Sequence, residues 1–397
     1  MIAVQEALKL VLSEQLPQET ETVDLDHALG RVLAVPVLAD RDAPPFHRVT
    51  MDGIAVRASA LANHAAFRVE KIQAAGQAPL RLDNDSHCIE VMTGAVLPEN
   101  TDCVIPYEQL SLSDGLARPH TAEHQAFQNV HRQGTDAAAG EVLLEPGKVI
   151  SPGIVGLMAS VGLSRVKVLK MPAIAVCSTG DELVDLDQTP EIHQIRKSNA
   201  YMLQAALLDA GLLPDVFHLK DDQDAMREAL AQLVQKYRVI LFSGAVSRGK
   251  FDFLPDVLQD LGMRKTVHGV AQRPGKPFLF GRFSRSLIFG FPGNPASTLV
   301  CFHTYFKPWL WKHFNLSLPE HSAILTEDVK FSKPLTYHLL VTLKTIQGSL
   351  RATPISTSGS GDLVHLAQAD GILCLPAEKD YFYAGESYPL IPFYNQK

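Results

Sequence analysis

The period of the hydrophobic positions changes several times along this chain, and the changes divide it into segments. Between residues 2 and 16, Val4, Leu8, Val11 and Leu12 recur at helical spacing before Pro17, which predicts an amphipathic helix of about four turns. Short apolar runs broken by charge continue to Pro44-Pro45. Neither a helix interior nor a central strand accommodates that pair, so a domain boundary is expected there. From Met51-Asp52-Gly53 onward, strand-like stretches such as FRVEKIQAAG, HCIEVMTGAVLP and DCVIPYEQLSL alternate with turn signals, the pattern of an inserted all-β unit. A short helix over 152–161, closed by Gly162, and a strand over 166–169 follow.

Residues 172–295 have a different rhythm. Three apolar runs, AIAVCSTGDEL, VILFSGAVSRGKFDF and LIFGFPGNPAS, each break into a turn of small residues carrying polar groups. Strands expected at 173–177, 215–219, 239–242, 265–270, 278–280 and 287–291 alternate with helices. The first of these is N-capped by Ser198 or Asn199 and stopped by Gly211; others span 223–236 and 254–261, and the last begins at Asn294. Such alternation predicts a mainly parallel sheet covered by helices on both faces, with a site at the carboxyl ends of its strands. Beyond Pro319, two alternating β runs joined by TSGSGDLVHLAQAD predict a small terminal β-barrel. The expected architecture is therefore an α/β central domain (169–318) with a small α+β domain (1–43 together with 135–168), an inserted β-rich domain (44–134) and a C-terminal β-barrel (319–397).

Composition narrows the function. A net charge of −7 without a basic cluster disfavours a nucleic-acid-binding face. The five cysteines are scattered and show no CxxC spacing, which fits reduced thiols and not a disulfide frame or zinc site. Charges at Glu6, Lys9 and Glu14 argue against a signal peptide or membrane span at the N-terminus. A cytoplasmic protein is expected.

The turns of the central stretch carry the candidate chemistry. In Pro292-Gly293-Asn294-Pro295, Asn294 is placed as an N-cap and Pro295 in the first helical turn, so free N–H groups point at a strand end. Ser178, Thr179 and Gly180, and Ser243, Gly244 and Ser247, are small positions where backbone can approach an oxyanion. Arg273 and Lys276 of RPGKP add positive charge. Asp181, Glu182, Asp221, Asp222 and Asp252 fall at or after strand ends beside these loops. Carboxylates next to a phosphate repel it unless a hard cation intervenes, so the combination implies Mg²⁺. Neither GxxxxGK[ST] nor GxGxxG occurs, no nucleophile triad is readable, and the 15 histidines are dispersed. The residues alone reach as far as a Mg²⁺-dependent enzyme acting on a phosphorylated or nucleotide-bearing small molecule. From the residues alone Asp52 reads as a turn residue bonding its own backbone and Asp136 as a solvated loop residue.

The strings themselves resemble a known family. PPF followed by MDGIAV, then MTGAVLPENTD, STGDEL, IRKSN, SGAVSRGKFD, RPGKP and PGNPAS stand in the order found in the molybdopterin molybdenumtransferases, the MoeA family, whose relatives include the C-terminal domain of gephyrin. The resemblance spans nearly the whole chain. It implies an elongated homodimer of four-domain subunits that inserts molybdate into adenylylated molybdopterin with Mg²⁺-assisted release of AMP. It also places functional residues at Asp52, Thr93, Asp136, Glu182, Asp222, Asp252, Arg273, Lys276, Pro292, Pro295 and Ser360. Glu182, Asp222 and Asp252 would hold the metal. Asp52, Thr93 and Asp136, with Ser360, would complete the cleft from outside, the first three from the second subunit. Implied partners are a molybdopterin adenylyltransferase and molybdoenzyme maturation proteins, with no nucleic acid and no membrane. Ala245, Arg248, Ile54, the GTD before Ala137 and Gly269 depart from the family pattern. Two rival readings are the adenylyltransferase of the preceding step and a non-catalytic scaffold of the gephyrin type.

Overall fold

The computed structural model describes residues 1–244, 246 and 253–394; Ser247, Asp252, Ala245 and Arg248 lie outside them. The chain forms two compact units, Thr22–Val168 and the combination of Met1–Glu21 with Leu169–Lys397.

In the first unit, a six-stranded sheet runs in the order Cys103–Pro106, Gly53–Val56, His87–Val91, Phe67–Gln73, Leu116–Pro119, Leu110–Ser113. Both faces of Gly53–Val56 are covered. Ile54 and Val56 pack with Phe67, Cys88 and Ile105 on one side, and Ala55 with Ile89, Val91 and Val104 on the other. This burial accounts for the unbroken apolar run after MDG. Gly53 is required by close approach, because a Cβ there would collide with the Ile105 carbonyl oxygen. Ile54, a departure from the family pattern, is a fully buried core residue. A further core gathers Leu33, Val37, Leu144, Ile150, Val166 and Val168 around Met158 of the helix Pro152–Ser160. That helix is capped by Ser151 Oγ, which accepts from Ile154 N–H at 3.4 Å.

In the second unit the helix Val4–Ser13 is anchored by its C-terminal end. The Trp309 indole N–H donates to Glu14 O at 2.8 Å, and the Arg282 guanidinium lies 3.1 Å from Glu14 Oε2. Residues 1–21 therefore group with the central sheet, whereas the sequence reading grouped them with 135–168; the apolar face of a short helix does not reveal which core it covers.

The central sheet comprises β1 (Ile174–Thr179), β2 (Asp215–Leu219), β3 (Val239–Ser243), β4 (Arg264–His268), β5 (Leu279–Phe283) and β6 (Ser286–Phe291), in the order β2-β1-β3-β6-β5-β4. The first four in that order are parallel, and β5 pairs antiparallel with both β6 and β4. On one face, Ala175, Cys177, Ile240, Phe242 and Ile288 pack with Met226, Leu230 and Leu233 of the helix Gln223–Lys236 and with Val257 and Leu258 of the helix Leu254–Asp260. Side chains alternate along each strand, so Phe289 turns to the other face and meets Phe306 and Trp309 at 5.4 and 5.7 Å between ring centroids.

The C-terminal strands close on themselves. Thr336–Ile346 pairs with both Ser349–Pro354 and Gly371–Leu375, and the ring is completed through Ser387–Pro392 and His321–Leu325. The result is a five-stranded barrel around Leu325, Val341, Ala352, Leu373 and Phe382, and closure leaves few unpaired edges. No helix among the described residues is long and apolar enough to cross a membrane.

Candidate functional site

The register of the parallel strands brings three turns to one level. Ser178 lies beside His218 on one side and Ser243 on the other, and Ser243 beside Phe291. The turns after β1, β3 and β6 thus leave the sheet together and border a cavity of about 330 Å³. Its wall includes Ser178, Thr179, Gly180, Ser243, Gly244, Pro292, Gly293 and Pro295.

Glycine is required at two of these positions. Gly180 has φ +130°, and a Cβ there would fall 2.5 Å from Glu182 Oε2, so the carboxylate folds back over the turn. Gly244 has φ +100°, and its Cβ would lie 2.9 Å from Thr179 Oγ1. A Cβ on Gly293 would stand 3.7 Å from Gly244 Cα, so the second and third turns abut.

The polar side chains divide into spent and available groups. Ser178 is spent: its hydroxyl donates to Phe217 O at 3.3 Å and lies 3.2 Å from His218 Nδ1. Burial, with the nearby Lys197 charge, depresses the His218 pKa. Thr179 Oγ1 is buried with no hydrogen-bond partner among the described residues.

The acids sort differently from the expectation. Glu182 and Asp221 line the cavity, and the Asp221 N–H donates to Asp181 Oδ1 at 3.3 Å. Asp222, expected in the metal set, is instead the N-cap of the helix Gln223–Lys236, its Oδ1 accepting from Ala225 N–H at 2.8 Å. A capping carboxylate is committed to the helix's first free N–H groups. Asp221 is among the acids expected beside these loops, though not in the metal set that the resemblance implies. Among the described residues no three His, Cys, Asp or Glu side chains form a metal-binding group.

The basic residues also differ. Arg196 and Lys197 line the cavity, but Arg273 and Lys276 do not. Both of the latter are exposed, and Arg273 belongs to a two-residue strand paired with Thr336–Tyr337 of the barrel region. The IRKSN string is drawn in by a short parallel ladder of Leu183–Val184 with Ile195–Arg196. Lys197 Nζ sits 2.7 Å from Asp185 Oδ1. The helix Ser198–Asp209 begins after Lys197, which provides no side-chain cap. Asn199, one of the expected caps, instead donates from Nδ2 to Gly293 O at 2.6 Å.

Asn294 is the N-cap position of the helix Pro295–Cys301, but that helix start is not free. Asn294 Nδ2 donates to Ser360 Oγ at 2.7 Å, and the Ala296 N–H donates to Ser360 O at 3.1 Å. Ser360 thus meets the PGNP turn within its own chain.

In the other unit, Asp52 and Thr93 are brought together: Asp52 Oδ1 accepts from the Thr93 N–H at 2.6 Å and its hydroxyl at 2.8 Å. These bonds, the backbone one foremost, hold the Asp52 carboxyl below its usual range. Asp136 Oδ1 lies 3.0 Å from His131 Nε2, and His131 Nδ1 lies 3.1 Å from the Arg48 guanidinium.

Three family descriptions match: "MoeA N-terminal region (domain I and II)" over residues 2–162, "Probable molybdopterin binding domain" over 175–312, and "MoeA C-terminal region (domain IV)" over 322–393. The molybdopterin molybdenumtransferase of Synechocystis is 41% identical, covering 98% of this chain and 99% of that protein. The one from Bacillus subtilis is 31% identical, covering 98% and 94%. The crystal structure of a molybdopterin biosynthesis MoeA protein from Pyrococcus horikoshii superposes with a TM-score of 0.85 at 28% identity, covering all of both chains. Full-length similarity of this kind, on a fold that gathers three glycine-bearing turns over one cavity, makes the chain a member of the molybdopterin molybdenumtransferase (MoeA) family.

Proposed function

We propose that the protein is a transferase of molybdenum cofactor biosynthesis that inserts molybdate into adenylylated molybdopterin and releases AMP. The observation that carries this reading is the cavity at the carboxyl ends of β1, β3 and β6, where the Gly180, Gly244 and Gly293 turns leave room for a phosphate-bearing ligand beside Glu182 and Asp221. The donor chemistry there suits Mg²⁺, a hard cation that takes one or two carboxylates together with substrate phosphates. Glu182 and Asp221 would hold it; Asp252, the third acid implied by the family, lies outside the described residues. When bound, Mg²⁺ neutralises phosphate charge and polarises the bond to be broken. The chain's own residues do the positioning: the turns present backbone to the phosphate, and Lys197, paired with Asp185, adds fixed positive charge.

The protein acts as a cytoplasmic homodimer, with Asp52, Thr93 and Asp136 of each protomer serving the site of the other. Arg273 and Lys276, outside the cavity, serve molybdate in this arrangement. An adenylyltransferase of the preceding step and molybdoenzyme maturation proteins are its transient partners. The test supplies adenylylated molybdopterin, Mg²⁺ and molybdate to the purified protein and follows AMP. Release that requires molybdate supports the reading. AMP-forming turnover from ATP, or no turnover at all, overturns it.

A further inference from the structure

We infer that Asn199 is a specificity-determining residue of the cavity, offering Oδ1 to an N–H donor on a ring of the substrate while Nδ2 holds the PGNP turn in place. The inference rests on the reading that this cavity takes a nucleotide-bearing pterin.

The orientation of the amide is decided by its partner. The Gly293 carbonyl can only accept, so the group 2.6 Å from it is the Asn199 NH₂, and Oδ1 faces elsewhere. That oxygen is buried and has no hydrogen-bond partner among the described residues, and Thr179 Oγ1 is in the same condition. Both residues line one cavity. Two buried polar atoms without partners in one site call for a ligand that satisfies them.

The chemistry of the two atoms then selects the part of the ligand. An amide oxygen accepts only, and it is satisfied by an N–H or O–H donor. Molybdate and an ionised phosphodiester bring no such donor; a ribose hydroxyl and an aminated heterocycle do, and only the heterocycle loses its donor when an oxo group replaces its amino group. Adenine and pterin both present an amino group beside a ring acceptor, and the Thr179 hydroxyl can donate to that acceptor. On this inference the Asn199 wall receives a ring edge and the three glycine turns receive the oxyanion. Through Gly293, which abuts Gly244, Asn199 also holds the spacing of the turns.

Calorimetric titration of the full-length protein tests this with two pairs of probes. In each pair an oxo group replaces the amino group: AMP against IMP, and 6-hydroxymethylpterin against its lumazine counterpart. Wild-type protein should favour the amino compound by about tenfold in one pair, the size of effect expected when a buried acceptor loses its donor, and the pair that responds identifies the ring. Asn199→Ala should abolish that preference. Asn199→Asp keeps an acceptor but loses the Gly293 tether, so it should retain the preference at lower affinity for both members, and it keeps the test decisive should the alanine variant fold poorly. Absence of preference in the wild type, or a preference unchanged in Asn199→Ala, overturns the inference. Either result obtained with protein that releases AMP in a molybdate-dependent way leaves the proposed function standing. Loss of that release in the wild type removes the function itself.

Discussion

At the scale of single residues, adjacent acids have unlike roles. Asp222→Ala should cost about 1 kcal/mol of stability, the usual value of an N-cap, and leave turnover within about threefold of wild type. Asp221→Asn should cut AMP release by about tenfold or more, because it removes an acid from the cavity. Parallel melting curves and AMP assays on the two variants check this, and equal loss of activity in both would sink the distinction. Asp52 is checked by its titration. Its carboxyl is held down by the Thr93 N–H and hydroxyl, so the bonds stabilise the folded state above the ordinary carboxylate range, and that contribution disappears as pH falls through the depressed folded value. Thr93→Val removes one of the two donors and should raise the Asp52 pKa, read by carboxyl carbon NMR; an unmoved titration would show that the hydroxyl bond is not made in solution. The helix start at Gln223 already put Asp222 at the cap position in the sequence, whereas the cavity that Asp221 lines is assembled from turns far apart in the chain.

At the scale of elements, the helical segment after β6 and the barrel both carry buried imidazoles. Burial lowers His303 to about 3, with the Lys307 charge adding to the effect, and lowers His338 to about 4. His303 Nδ1 and His338 Nε2 have no hydrogen-bond partner among the described residues. For a base depressed on folding, the unfolded chain takes up the proton first. Stability is therefore full above the ordinary value near 6.5 and is lost as pH falls from there toward the folded value, by about 1.4 kcal/mol per pH unit for each such group. Melting temperatures should drop between pH 7.5 and pH 5, and His338→Gln should drop less; the same drop in both proteins would exclude His338 as a source. The four parallel strands of the central sheet were legible within a residue or two because buried parallel strands read as apolar runs ending in small residues, whereas β5, antiparallel to its neighbours, runs three residues past its expected end at Phe280. The ladder of Leu183–Val184 with Ile195–Arg196, which brings Lys197 and Asn199 to the cavity, was not. Two-residue strands leave no period to detect.

At the scale of the whole molecule, Thr22–Val168 forms a unit with its own cores. Its ends are stitched together: Leu25 N–H donates to Ser164 O at 2.9 Å, and Ala34 N–H to Lys167 O at 3.0 Å. Residues 22–168 expressed alone should therefore fold cooperatively, seen as dispersed amide NMR signals and a single unfolding transition. A collapsed, poorly dispersed spectrum would show that these cores need the remainder of the chain. Closure of the C-terminal barrel belongs to this scale as well. Alternation along 336–346 shows a half-buried strand, but its pairing with both 349–354 and 371–375 is a long-range choice.

What the sequence determined by itself follows from short-range physics: the apolar runs that must be buried, the small residues where backbone must come close, and the ordered strings that mark the family. The tertiary structure alone decided which of those groups meet. It brought Asp221 to the cavity, and it set Ser360 on the PGNP turn. It also turned Asn199 from a helix cap into a tether on Gly293. The Asp222 cap is a local bond, but the Ser360 and Asn199 contacts depend on partners found across tens of residues, and hydrogen bonds of that range leave no periodic trace in the chain.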